Sequence, residues 1–269
     1  MNDYSFTVGI PFYIKSNPHQ FKEAIDSVLN QTLLPKKIHL IQDGPINNSI
    51  KRVLDQYKSH KSNLFILLKL KKCGLPRALN ESIKSCNTKF YARMDADDIC
   101  FPDRFEKQIS YFKNHLNTEI LGTWAYEFEN ELTINRMFLN RTPLNKIDIK
   151  NIIHYRNPLI HSSVMFKVDS IVKVGMYNEY MYTDQDLELW NRCINDNIVI
   201  SNIQEPLIYL RVIDRLKRRS KWSAIKRQII IRYSHNTSSL KLNFLKLASI
   251  VIRIMPFFIR KWAYKNLRK

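Results

Sequence analysis

The chain has 269 residues, 45% of them hydrophobic, which is enough apolar material for a sizeable buried core and excludes global disorder. Its 43 Lys and Arg against 24 Asp and Glu leave a formal charge of +19. Such an excess favours a polyanionic neighbour, whether nucleic acid, an anionic membrane surface or a phosphorylated substrate.

Phe6 to Pro11 reads as a short apolar strand, and Phe21 to Asn30 places Phe21, Ala24, Ile25, Val28 and Leu29 at helical spacing. Lys37 to Gln42 is strand-like and ends at the turn signal Asp43-Gly44-Pro45. A helix over Ile50 to Tyr57, a strand over Leu64 to Leu70, a helix over Leu75 to Ser85 and a strand over Phe90 to Met94 follow. This alternation predicts an α/β fold with a mostly parallel sheet and helices on both faces. Ligands of such sheets bind beyond the carboxyl ends of the strands, so Pro11-Phe12-Tyr13, Asp43-Gly44 and Asp95-Ala96-Asp97-Asp98 are expected to line one crevice.

Beyond Phe101 to Asn114, a predicted helix with Pro102 near its start, apolar segments recur at Leu121 to Phe128, Ser162 to Val168 and Ile198 to Ile203. The composition then changes. Residues 215 to 227 hold seven Lys or Arg, and 240 to 269 mix large apolar and basic residues. A boundary is expected near residue 212, between an α/β domain, 1–212, and a basic amphipathic helical segment, 213–269. No apolar run approaches the roughly 20 residues of a spanning helix, because Lys246, Arg253 and Pro256 interrupt the best candidate. Cys73, Cys86, Cys100 and Cys193 form no CxxC pair, and no signal peptide is recognisable, so a cytosolic protein with reduced thiols is expected.

Three Asp within four residues directly after a strand concentrate negative charge that a hard divalent cation offsets well; a solvated acidic loop is the alternative. Asp43 at a strand end can accept hydrogen bonds from a base or ribose, although Asp-Gly is also an ordinary turn. Asp184 and Asp186 lie in an acidic helix start. Either a helix N-terminus rich in Asp or a carboxylate that takes a proton from an acceptor hydroxyl accounts for them. His161 is read as orienting an acceptor or as a buried, hydrogen-bonded histidine.

The ordered set Ile10-Pro11-Phe12-Tyr13, Ala24 to Thr32, Gln42-Asp43-Gly44, Gly74 to Asn80, Ala92 to Asp98, Pro102 to Gln108, Asn157 to His161 and Asp186 to Trp190 resembles family-2 glycosyltransferases of bacterial surface-polysaccharide synthesis. The resemblance spans roughly residues 5 to 211. It implies a GT-A fold, a nucleotide-diphospho-sugar donor, most often a UDP-sugar, and inverting, Mn²⁺- or Mg²⁺-dependent transfer. Matched by motif, Pro11 and Tyr13 flank base and ribose, Asp43 binds the base, and Asp95 and Asp97 form the DxD pair with Asp97 the direct metal ligand. Asp186 becomes the general base, and His161 and Trp190 lie on the acceptor side. Arg93 and Arg77 are placed to offset diphosphate charge, or to form surface salt bridges. Gln42, Pro45, Ile14 and Gln185 depart from the family pattern, the last leaving Asp184 as a second candidate base.

If Leu240 to Trp262 is helical, Lys246, Ser249, Arg253 and Arg260 share a narrow face within a mostly apolar surface. This suits an anionic membrane interface; the alternative is a helix packed on the catalytic domain with its basic stripe in solvent. The expectation is a peripheral enzyme on the inner face of the cytoplasmic membrane, acting on a lipid-linked glycan during O-antigen, capsule or related synthesis. Nucleic acid is not an expected partner, since no zinc finger, RNP-like motif or helix-turn-helix is present. A nucleotidyltransferase would want a phosphate loop, which residues 9 to 20 lack.

Overall fold

Apolar strands alternating with amphipathic helices assemble one mixed sheet. The computed structural model describes residues 3–58, 63–129, 132, 137–181, 183–212 and 222–266. The first half contains β1 (Phe6–Phe12), α1 (Pro18–Leu29), β2 (Lys37–Asp43), α2 (Asn48–Lys58), β3 (Phe65–Leu70), α3 (Leu75–Lys84) and β4 (Phe90–Arg93). Its strands pair in parallel in the order β3-β2-β1-β4. Some helix starts are capped by their own sequence. Asn17, for example, accepts from the amides of His19 and Gln20, and Pro18 opens α1.

Alternation along the strands feeds two cores. Phe90 and Ala92 of β4 pack with Phe21, Ile50 and Phe105 on one face, while Tyr91 points to Leu79, Phe166 and Trp190 on the other. Helices therefore cover both faces, as expected.

The second half adds β5 (Ile99–Cys100), α4 (Arg104–Asn114), β6 (Ile120–Phe128), β7 (Phe138–Asn140), α5 (Lys146–Ile152), β8 (Met165–Lys167), α6 (Val168–Lys173), α7 (Gln185–Asn195) and β9 (Ile200–Arg211). β8 joins β4 antiparallel and extends the sheet through β6 and β9 to β5. Two expectations shift here. The helix predicted from Phe101 begins at Arg104, because the Phe101 amide donates to the Leu207 carbonyl of the neighbouring strand. The apolar segment at Ile198 to Ile203 grows into a strand that reaches Arg211, because it pairs in parallel with β6 along its length.

The expected boundary near residue 212 coincides with the end of β9; most of the basic run 215–227 lies outside the described residues. Beyond it, α8 (Trp222–Tyr233) packs back on the domain. Ile231 is buried in the second core and its carbonyl accepts from Asn191, while Gln228 donates to Asp184 and Arg232 to the Ile153 carbonyl. α9 (Leu240–Ile254) and α10 (Phe257–Asn266) are separated at Pro256, which ends one helix rather than bending it. The expected solvent-facing basic stripe is corrected at Lys246. This side chain is buried, donates to the His235 carbonyl and lies over the Tyr233 ring. Among the described residues no helix is long and apolar enough to cross a membrane.

One core residue makes stability depend on pH. His39 of β2 is buried, with Nδ1 2.9 Å from Ser82 Oγ, and burial lowers its pKa from 6.5 to about 4. As pH falls, the unfolded chain takes up the proton first, so stability held above pH 6.5 is lost on the way to 4. His39→Asn is expected to remove about 2 kcal/mol of the stability difference between pH 7 and pH 5, as read by urea unfolding. An unchanged pH dependence in the variant would contradict this account.

Candidate active site

Because β1, β2 and β4 run in parallel, their carboxyl ends meet at one edge of the sheet. A cavity of about 820 Å³ opens there, and Pro11, Tyr13, Asp95, Asp97, His161 and Asp186 line it. Two of the three expected strand ends therefore contribute directly.

At the end of β4, oxygens of Asp95, Asp97 and Asp98 lie within 4.8 Å of one another. Burial, with the charge of Asp95, raises the pKa of Asp97 to about 6. Asp98 turns inward: it is buried, and its Oδ1 accepts the Arg211 amide at 2.8 Å. Burial and its two neighbours push its pKa well above the usual carboxylate range. Crowded carboxylate oxygens, destabilised by one another, fit a hard divalent cation. Asp95 and Asp97 present that donor set to the cavity, and Asp98 braces it from behind.

Arg93 does not face the cavity, contrary to the expectation of a donor contact. The strand buries it, and its Nη2 pairs with Asp95 while, among the described residues, Nε and Nη1 have no hydrogen-bond partner. Its charge acts through the Asp95 carboxylate. Arg77 instead pairs loosely with Glu179, Nε to Oε2 at 3.8 Å, on an exposed surface.

Asp43 also stands at its predicted strand end without lining the cavity. Its carboxylate accepts from the amides of Cys73 at 2.7 Å and Gly74 at 3.1 Å, at the start of α3. Gly44 and Gly74, with φ of +86° and +87°, allow the two chain segments to turn around that carboxylate. These two amides take up part of the acceptor capacity of the carboxylate that was expected to meet a base.

The opposite wall comes from α7. Asp184 precedes this helix in a left-handed conformation, φ +58°, and its side chain accepts from Gln228 of α8 at 2.7 Å. Asp186, in the first turn, lines the cavity and accepts from Asn157 Nδ2 at 2.6 Å. Geometry thus separates the two candidates: Asp186 faces the cavity and Asp184 faces α8.

His161 lines the cavity with Nε2 2.7 Å from the Tyr177 hydroxyl; burial, then the charge of Arg93, hold its pKa well below 6.5, so the imidazole is neutral. Trp190 does not reach the cavity. One helical turn beyond Asp186, it is fully buried, edge-on to His161 at 6.3 Å. It supports the wall from behind, where an acceptor-side contact was expected.

Asn157 and Arg211 are among the lining residues that had no assigned role from sequence. Asn157 sat inside a recognised motif, before Pro158, where an Asn is easily read as a turn residue. Arg211 donates to the Asp97 carbonyl at 2.9 Å and lies 4.4 Å over Phe128. Its signal was lost against the basic stretch that follows.

The family described as Glycosyl transferase family 2 matches residues 7–174. The amylovoran biosynthesis glycosyltransferase AmsE of Erwinia amylovora is 31% identical, the alignment covering 98% of this chain and 99% of that protein. An Escherichia coli UDP-Gal:alpha-D-GlcNAc-diphosphoundecaprenol beta-1,3-galactosyltransferase is 30% identical over 97% of this chain and 95% of its own. Among solved structures, S. aureus TarS 1-349 in complex with UDP-GlcNAc superposes with a TM-score of 0.65 at 15% identity, over 93% of this chain and 72% of that one. On the family match and the near end-to-end relatives, this chain belongs to glycosyl transferase family 2, and its architecture is the GT-A fold.

Proposed function

We propose that the protein is an inverting, metal-dependent glycosyltransferase that moves a sugar from a UDP-sugar to a hydroxyl of a lipid-linked oligosaccharide during bacterial surface-glycan synthesis. The observation that carries this reading is the shared cavity, with Asp95 and Asp97 on the β4 side and Asp186 on the α7 side. The donor and lipid-diphosphate acceptor in the Escherichia coli relative's name support the choice of substrates. Amylovoran biosynthesis in the Erwinia relative's name supports the glycan context. Residues 1–212 form the catalytic part and 213–269 the appended part, which works at the inner face of the cytoplasmic membrane.

In this reading Pro11 and Tyr13 receive the base and ribose at the mouth of the cavity. Asp97, with Asp95, holds Mn²⁺ or Mg²⁺, which when bound neutralises charge on the departing diphosphate. The acceptor oxygen attacks the anomeric carbon from the side opposite the diphosphate. The bond from that carbon to the diphosphate oxygen breaks with its electron pair, the acceptor proton passes to Asp186, and the anomeric configuration inverts. Asn157 fixes the Asp186 carboxylate, and neutral His161 is available for a hydrogen bond to the acceptor.

Asp97→Ala is expected to abolish the Mn²⁺-dependent part of UDP binding in calorimetry; binding that stays Mn²⁺-dependent would remove Asp97 from the metal. Asp186→Asn is expected to lower kcat by about 10²- to 10⁴-fold while UDP affinity holds. Normal turnover in that variant, with Asp184→Asn inactive, would move the base to Asp184. Asn157→Ala, which removes a hydrogen bond to a charged group, is expected to lower kcat about tenfold or more with little change in donor KM. A change confined to KM would contradict its role in orienting the base.

A further inference from the structure

Residues 213 to 269 hold 16 of the 43 Lys and Arg but only one of the 24 Asp and Glu, so this segment carries +15 of the +19 charge. A helix packed on a water-soluble domain normally turns its apolar stripe inward and its charges outward. α9 instead turns a row of apolar side chains outward and one lysine inward. Leu240, Phe244, Leu247, Val251 and Ile254, spaced by four, three, four and three residues, are between 39% and 86% exposed, whereas Lys246 is 0% and Ile250 5% exposed. Past Pro256 the exposed apolar series continues in α10 with Phe257, Phe258 and Trp262.

This face is firmly attached. Lys246 ties α9 to the turn after α8, and α8 is bonded through Gln228 to Asp184, two residues before the proposed base. At 15 residues α9 is about 22 Å long, short of the roughly 30 Å of a bilayer's hydrocarbon core, which favours lying on a membrane over crossing it.

We propose that the outward face of α9 and α10 inserts, parallel to the membrane plane, into the headgroup–acyl boundary of an anionic bilayer. Phe244, Leu247, Ile254 and Phe258 enter the apolar layer, and surrounding cations such as the exposed Lys226 and Lys241 meet the headgroups. Charge selects this occupant. A second copy of the chain would bring another +15 segment against the first, whereas an anionic lipid surface is complementary to it. The purpose of the contact rests on the lipid-linked acceptor proposed above; its geometry does not.

The test is co-sedimentation of the full chain with vesicles of phosphatidylethanolamine and phosphatidylglycerol, and with phosphatidylcholine vesicles as the uncharged comparison. The parent protein is expected to bind the anionic vesicles more tightly. Phe244→Ser/Leu247→Ser and, separately, Phe258→Ser are expected to reduce the partition coefficient by about tenfold or more, as loss of several inserted methylenes requires. Mn²⁺-dependent UDP binding and thermal unfolding, measured on the same variants, are expected to stay at parental values. Parental vesicle binding in both variants would overturn the proposal. So would a parent that ignores anionic vesicles, or variants whose sole effect is to split a dimer in sedimentation equilibrium. Failure of the donor assignment would show separately, as absent UDP binding with vesicle binding intact.

Discussion

Three carboxylates whose oxygens crowd within 4.8 Å at the end of β4 repel one another, and much of the surrounding structure is arranged around that repulsion. Arg93 is buried directly behind Asp95 as a counter-charge. The last residue of β9 gives Asp98 a backbone donor and holds the Asp97 carbonyl through its guanidinium. Arg104, fully buried at the start of α4, fixes the Arg93 carbonyl at 2.9 Å. Strand, helix and the end of β9 therefore converge on one cluster of charge. Burial first, and the charge of Asp95 second, raise the pKa of Asp97 to about 6.

The other wall is built differently. Asp186 is held by a neutral amide, Asn157, and the residue two before it is held by an α8 glutamine across the expected domain boundary. The appended segment is thus part of the scaffold of the cavity's α7 side. The orientation of α9 follows the same logic: Lys246 is spent on the internal joint with His235 and Tyr233, which leaves the apolar side facing outward.

Much of the fold was legible because its determinants are local. The spacing of Phe21, Ala24, Ile25 and Val28 marked the buried face of α1, and the end of β4 marked the acidic cluster. What was not legible depends on partners distant in sequence. Asp43 reads as a free strand-end acid until the amides of Cys73 and Gly74 come within reach. Arg93 and Trp190 read as cavity residues from motif order, yet strand and helix geometry place both one layer behind the wall. Asp184 and Asp186 could be separated only once Asn157 and Gln228 were positioned. The orientation of α9 escaped because periodicity locates an apolar stripe without saying which way it faces.

The central claim is that a single cavity places a leaving diphosphate on the Asp95–Asp97 side and a proton acceptor, Asp186, on the other, so that attack comes from opposite the leaving group. The anomeric configuration of the transferred sugar, read by proton NMR of the product against that of the donor, tests this most directly. The account predicts inversion. Retention of the donor's configuration would contradict it.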